Sequence, residues 1–326
     1  MGSTAGLFTI VPSSVMARNA QRPPSDKLNV AAIGAGGMGY SNIKNIAGEE
    51  IDPGKRENIV ALCDVDDVRA AKTYMDFPKA KTFRDFRVML EKQKDIDAVI
   101  VATPDHTHTA AAMAAMQLGK HVYVQKPLTR LVSETRLLTE TAQKYRVATQ
   151  MGNQGHSGEG IRQVCEWIWS GAIGDIHTVH AWTNRPVWPQ GIAERPEEKP
   201  PVPDTLSWDL WLGPAPYRDY HPNYCPFKWR GYWDFGAGAL GDMACHIIDP
   251  VFMALKLRYP VSVEASCSTL SNVANNETFP RASIIHYNFP ARMGMPPVEL
   301  IWYDGGLQPV RPEELAPDEK MGRGGS

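Results

Sequence analysis

A chain of 326 residues is longer than one hydrophobic core usually serves, so two domains are expected. With 43% hydrophobic and 21% charged residues, and 34 basic against 36 acidic, it is neither disordered nor a polyanion binder, and nucleic acid is not expected as a partner. Five cysteines, Cys63, Cys165, Cys225, Cys245 and Cys267, contain no CxxC pair, so no disulfide framework or metal site is expected, and no apolar run reaches the roughly 18 residues of a membrane span.

Residues 1–27 read as a leader. Its apolar part, Gly2 to Ala17, is either the end of an export signal whose basic start is missing or a lead-in without structure. From Leu28 to Ile33 a short β-rich run leads into Gly34-Ala-Gly36-Gly37-Met38-Gly39, where a helix can begin. Further apolar runs at Ile59 to Cys63, Ala98 to Ala102, His121 to Val124 and Val147 to Met151 alternate with helix-length segments such as Thr107 to Leu118 and Ser133 to Tyr145. That alternation predicts an α/β fold with a parallel sheet over 28–152.

Beyond Gly152 the pattern changes, and 153–326 is expected to form a second α/β domain. It starts with a helix from about Gly158 to Ser170 and a strand from Asp175 to Thr183. Prolines and tryptophans then crowd the stretch from Pro186 to Pro226, which reads as a long ordered excursion without regular helix or sheet. Val261 to Leu270, Ala282 to Phe289 and Val298 to Tyr303 predict an open, mainly antiparallel or mixed sheet, and Gln308 to Ser326 reads as loop.

Gly34-x-Gly36-x-x-Gly39 between a strand and a helix is the arrangement that lets backbone approach a pyrophosphate at a helix N-terminus, with Gly37 and Met38 inside the same turn. Asp64, at the end of the second strand, suits the ribose hydroxyls and would repel a 2′-phosphate, so NAD is favoured over NADP. Its distance from Gly39 exceeds the usual interval because of the polar insertion from Gly48 to Asn58. Thr103, Pro104 and His108 come after the fourth strand and are placed on the nicotinamide side, although capping of the next helix by Asp105 or Thr107 explains this stretch equally. Asn153, Gln154 and His156 come after the sixth strand at the same edge; Gln154 is assigned to the cofactor, Asn153 and His156 to substrate.

Lys126 closes the fifth strand, where an ammonium can bond a substrate hydroxyl and stabilise the oxygen as hydride leaves. Asp242 and His246 stand four apart, on one face of a helix, a spacing that suits either proton transfer or an ordinary helical contact. Tryptophans bracket the excursion, and aromatic faces suit sugar rings, so Trp182 and Trp233, with Arg185, are expected at a carbohydrate substrate; packing into a second core is the alternative.

The Gly34 to Gly39 turn, Ala102-Thr103-Pro104, Lys126-Pro127 and the Gly-x-x-x-x-Gly-Asp242-x-x-x-His246 stretch together resemble the Gfo/Idh/MocA family, over about Leu28 to Tyr303. The resemblance implies an N-terminal Rossmann domain with a doubly wound parallel sheet, a C-terminal α/β domain with an open, mainly antiparallel sheet, and hydride exchange between NAD(P) and a sugar, glycoside or cyclitol hydroxyl. Lys126, Asp242 and His246 are then the catalytic residues, and the open sheet often serves homo-oligomerisation. A redox-neutral lyase or hydrolase with tightly bound NAD and a non-catalytic NAD-binding regulator are the competing uses of the fold. Gln125 departs from the family's glutamate, and relatives continue past a turn like Gly322 to Gly325, so a C-terminally truncated fragment is expected. A cytoplasmic location is expected, or a periplasmic one if a twin-arginine signal precedes the chain.

Overall fold

Strands buried on both faces have to be apolar throughout, and the N-terminal half is built on that rule. In the computed structural model, which describes residues 27–48, 57–268 and 277–326, the first sheet takes its strands in a crossover order. The elements are β1 (Asn29–Ile33), α1 (Met38–Ala47), β2 (Asn58–Cys63), α2 (Asp67–Asp76), β3 (Lys81–Phe83), α3 (Phe86–Lys92), β4 (Ala98–Val101), α4 (Asp105–Gln117), β5 (His121–Gln125), α5 (Val132–Tyr145) and β6 (Thr149–Gly152). The sheet runs β3-β2-β1-β4-β5-β6, all parallel. The leader, most of the insertion after Gly48 and the end of the strand predicted to Leu270 lie outside the described residues.

Alternation along β1 and β4 supplies two cores. Ala31, Ile33, Val99 and Val101 pack with Ala111, Ala112, Ala115 and Met116 of α4 on one face. Val30, Ala32 and Ile100 pack with Ile43 of α1, Leu62 and Ala70 of α2 on the other. Asp66 caps α2 by accepting from the Val68 and Arg69 N–H groups. At α4 the expected cap is not made: Pro104 occupies the cap position and the Thr107 hydroxyl donates to the Pro104 carbonyl, while Asp105 lies in the first turn.

The second half holds α6 (Glu159–Trp169), β7 (Thr178–Thr183), α7 (Trp208–Leu212), a 3-10 turn at Lys228–Gly231, α8 (Gly238–Ile247), α9 (Asp249–Ala254), β8 (Ser262–Cys267), β9 (Ser283–Phe289), β10 (Val298–Tyr303) and β11 (Gly324–Gly325). Its sheet runs β11-β7-β10-β9-β8, with β7 and β10 parallel and the other pairs antiparallel, the mixed sheet expected. One face packs Ala181, Ile285, Leu300 and Trp302 against α8, α9 and their neighbours; β8 is exposed along its whole length. The tail departs from the loop expected of it, since Gly324 and Gly325 pair with Thr183 and Trp182, a contact made by backbone alone.

The excursion also differs from expectation in carrying a short helix, α7. Its aromatics and those that follow it form a core of their own, where Trp208, Trp211, Tyr224, Trp229, Tyr232 and Phe235 are buried together and the Trp208 and Trp211 rings stack 4.8 Å apart.

Candidate active site

Parallel strands leave their carboxyl ends, and the backbone groups there, facing one edge, and the order reversal between β1 and β4 opens a crevice at that edge. A cleft of about 760 Å³ begins there and continues between the two halves of the molecule, a size that suits an extended ligand. Ile33, Gly34, Gly36, Met38, Asp64, Thr103 and Pro104 line one end; Lys126, Gln154, Arg185, Asp242 and His246 line the other.

The glycine turn is held by sterics and by Asp64. A Cβ on Gly34, whose φ is +84°, would stand 2.6 Å from the Ala102 carbonyl carbon, and one on Gly39 would stand 1.8 Å from the Gly34 oxygen. Gly37, φ 56°, is the N-cap of α1. Asp64 Oδ2 accepts from the N–H groups of Ala35 at 2.8 Å and Gly36 at 3.1 Å, and Oδ1 accepts from the Asp66 N–H at 3.0 Å. Burial pushes the Asp64 carboxyl up, opposed by those three N–H groups. The residue therefore fastens the turn to β2 and keeps one lone pair of Oδ1 for a ribose hydroxyl. The strand-turn-helix cradle, with no room for side chains at Gly34 and Gly39 and a carboxylate at the next strand end, fits an NAD pyrophosphate and ribose.

At the other end the two halves meet through charge. Lys126 Nζ donates to Asp242 Oδ1 at 3.0 Å and to the Asp242 carbonyl oxygen at 2.8 Å, which leaves one of its three N–H bonds directed by neither contact. Arg230 Nε lies 3.4 Å from the same Oδ1. His246, one turn beyond Asp242 on α8, also lines the cleft; burial and the Lys126 charge hold its imidazole below the usual range. Asp242 thus holds Lys126 and Arg230 directly and acts on His246 through its charge. Gln125 carries a relay in place of a charge: its amide donates to Asn42 Oδ1 at 2.8 Å and accepts from Gln154 Nε2 at 3.2 Å.

Several residues assigned to this site by type lie elsewhere. His108 is buried under the turn, both ring nitrogens 2.9 Å from backbone carbonyls, those of Pro127 and Thr103. Asn153 donates to the Cys245 carbonyl at 2.6 Å, and His156 Nδ1 lies 2.8 Å from Asp249. Trp182 falls on the face of β7 opposite Ala181, its indole N–H bonded to the Gly322 carbonyl at 2.9 Å. Trp233 packs on Phe279 at 3.6 Å between ring centres. None of these five lines the cleft.

Other residues of the cleft are not singled out by the sequence. Asp105, only 3% exposed, is a second carboxyl beside Asp242; burial first and the Asp242 charge second push it up to about 8, against Arg230 and Lys126. Its position directly after Thr103-Pro104 is the signal that could have found it. Arg69 lies over the glycine turn, where a Cβ on Gly36 would stand 2.6 Å from its Cγ, and Arg84, Arg87, Asp209 and Leu210 line the cleft beyond Asp64.

Comparison with known proteins agrees with this geometry. Residues 28–153 match an oxidoreductase family with an NAD-binding Rossmann fold, and 172–287 match the C-terminal alpha/beta domain of the same family. Inositol 2-dehydrogenase 1 of Saccharopolyspora erythraea is 30% identical over 157 residues, 47% of this chain and 45% of that protein. A glycosyl hydrolase family 109 protein of Solibacter usitatus is 34% identical over 152 residues, 44% of this chain and 34% of that protein, so the chain spans less than half the length of either relative. Among solved structures, the WlbA dehydrogenase of Bordetella pertussis in complex with NADH and UDP-GlcNAcA shares the fold at a TM-score of 0.61 and 20% identity, covering 84% of this chain and 71% of that one. Myo-inositol dehydrogenase of Lactobacillus casei does so at 0.56 and 20% identity, covering 86% and 68%. With both matched regions falling on the two sheets that build the cleft, the chain belongs to the Gfo/Idh/MocA family of NAD-binding Rossmann-fold oxidoreductases.

Proposed function

We propose that the chain transfers hydride between the nicotinamide of NAD and a secondary hydroxyl of a sugar, glycoside or cyclitol, with 28–152 as the dinucleotide domain and 153–326 as the substrate domain. The single observation that carries this is the meeting of Lys126, Asp242 and His246 in the cleft whose other end is the glycine turn. Bound NAD would supply the hydride acceptor. Lys126, positioned by Asp242, offers its remaining N–H to the substrate oxygen, and the positive charge of Lys126 and Arg230 favours that oxygen as it becomes negative. His246, neutral because it is buried beside Lys126, has a lone pair to take the hydroxyl proton. Asp64 favours NAD over NADP, and its replacement by Ala is expected to relax that preference. The relatives named for inositol dehydrogenation support a polyhydroxylated substrate, for which Arg185 is the further polar contact in the cleft.

The test is to mix the protein with NAD and a panel of cyclitols, hexoses and glycosides and follow NADH absorbance, in both directions. Lys126→Ala should lower turnover at least about 100-fold with NAD affinity changed less than about twofold. NAD binding without hydride transfer to or from any member of the panel overturns the reading; unchanged turnover in Lys126→Ala removes that residue from the chemistry.

The exposed β8 edge and open sheet face support a homo-oligomer, checked by light scattering. Among the described residues no helix is long and apolar enough to cross a membrane. All five cysteines are free thiols, with Cys267 exposed, which suits a reducing cytoplasm, the compartment we propose.

A further inference from the structure

The cleft is roofed at its Asp64 end by the second half of the molecule. The Ser207 N–H donates to the Val65 carbonyl at 2.8 Å, and the Asp67 N–H donates to the Thr205 carbonyl at 3.1 Å. Leu206 pairs with Asp66 as an antiparallel bridge. Arg84, ion-paired with Asp67, reaches the Ser207 hydroxyl at 3.5 Å. A stretch of the excursion is thereby stitched to the loop between β2 and α2, the loop that carries the carboxylate assigned to ribose.

Immediately after the stitched residues the chain stands opposite α3. Asp209, Leu210, Gly213 and Pro214 line the same cleft as Arg84, Phe86 and Arg87. Asp85 first, and Asp209 from across the cleft, hold the Arg87 guanidinium above its usual range, so opposite charges face each other there. Trp211 anchors the segment, stacked on Trp208 and 5.1 Å from the buried ring of His106, whose Nε2 meets the Trp211 carbonyl at 3.0 Å. Burial holds His106 neutral, its pKa pushed down to about 4, so this contact carries an N–H donor and no charge. Nothing in the proposed hydride transfer needs this arrangement, because the reacting groups lie at the cleft's other end.

We propose that residues 205–214 are a second-domain part of the dinucleotide site, closing over the adenosine half of NAD so that the cofactor leaves only when this segment lifts from Val65 and Asp67. The proposal rests on the reading of the cleft as an NAD site. A dinucleotide lying from the glycine turn past Asp64 places its adenosine between Phe86 and Leu210, apolar walls suited to a purine, with its hydroxyls toward polar backbone. The roof has to break several weak contacts to open, which slows release without requiring a tighter contact to the reacting end.

The experiment measures the dissociation rate of NAD, and of ADP-ribose as the adenosine-side fragment, by stopped-flow displacement from the purified protein. Ser207→Pro removes the N–H that reaches Val65 at a position whose φ of −85° is close to that of proline, and Leu210→Ala removes the wall opposite Phe86. Each is expected to raise both dissociation rates roughly fivefold, the worth of one hydrogen bond or a small apolar contact, while thermal melting shows the fold retained. Dissociation of NAD and ADP-ribose unchanged in both folded variants overturns the roof but leaves the NAD site standing. Failure of the unaltered protein to bind either ligand overturns the NAD site itself.

Discussion

Asp105 shows how far burial beside a second carboxylate can move an acid in this cleft. Its carboxyl is pushed from 3.8 up to about 8, mainly by loss of water and then by Asp242. A group whose folded pKa lies above its unfolded value binds more protons folded than unfolded between the two, so its contribution to stability is complete in acid and is lost as pH rises through the upper value. Asp105→Asn, which keeps the shape and cannot ionise, should therefore lose less stability than the parent between pH 5 and pH 8, by roughly 3 kcal/mol. Urea denaturation at the two pH values gives the comparison, and parallel curves for the two proteins would contradict the assignment. Near neutral pH a protonated Asp105 also leaves Lys126 and Arg230 facing one carboxylate, so the cleft carries net positive charge where the substrate oxygen is proposed to sit.

Among the elements, the excursion depends on one buried cation. Arg218 is 5% exposed, ion-paired with Asp234 and with Glu277 at 3.0 Å, and its guanidinium lies over the rings of Tyr224 and Phe235. Its carbonyl also accepts from the Trp208 indole at 2.9 Å, so this stretch holds α7, the helix within the proposed roof. Arg218→Met keeps the apolar stem and strands Asp234, while Glu277 keeps Arg195 at 2.7 Å. A loss of about 2 kcal/mol is expected, read from the denaturation midpoint, together with weaker NAD binding; a neutral effect would mean that solvent reaches Asp234 freely.

The parts of this architecture visible in the sequence are those that local pattern dictates. Val30 to Ile33 and Val99 to Val101 are apolar without interruption because both faces are covered, and Gly39 is required by its contact with Gly34 in the same turn, whereas Gly34 is required by Ala102 at the end of the neighbouring strand. β3 and β11 carry no such pattern, one being a half-solvated edge and the other two glycines paired by backbone. Residue type alone points Trp182, Trp233, Asn153 and His156 toward the site, and their partners show that strand face and turn geometry decide instead. The Arg84 to Ser207 contact joins residues 123 apart, a pairing that no periodicity announces.

At the scale of the whole molecule, the cleft exists only because two sheets share it. Lys126, at the end of β5, is bonded to Asp242 on α8, Asp67 to Thr205, and the Phe235 carbonyl accepts from the His106 N–H at 3.2 Å, so contacts cross at both ends and in the middle. A ligand filling such a cleft has to stabilise both halves together. NAD at about 100 times its dissociation constant adds about 2.7 kcal/mol to whatever cooperative unit it binds. Amide hydrogen exchange locates that unit. With saturating NAD, protection should rise in the glycine turn and the loop after β2, and equally in residues 205–214 and in α8, because opening either half exposes the same ligand. Protection confined to 28–152 would show that NAD contacts only the first sheet, and that the second half approaches the cleft without sharing in the binding.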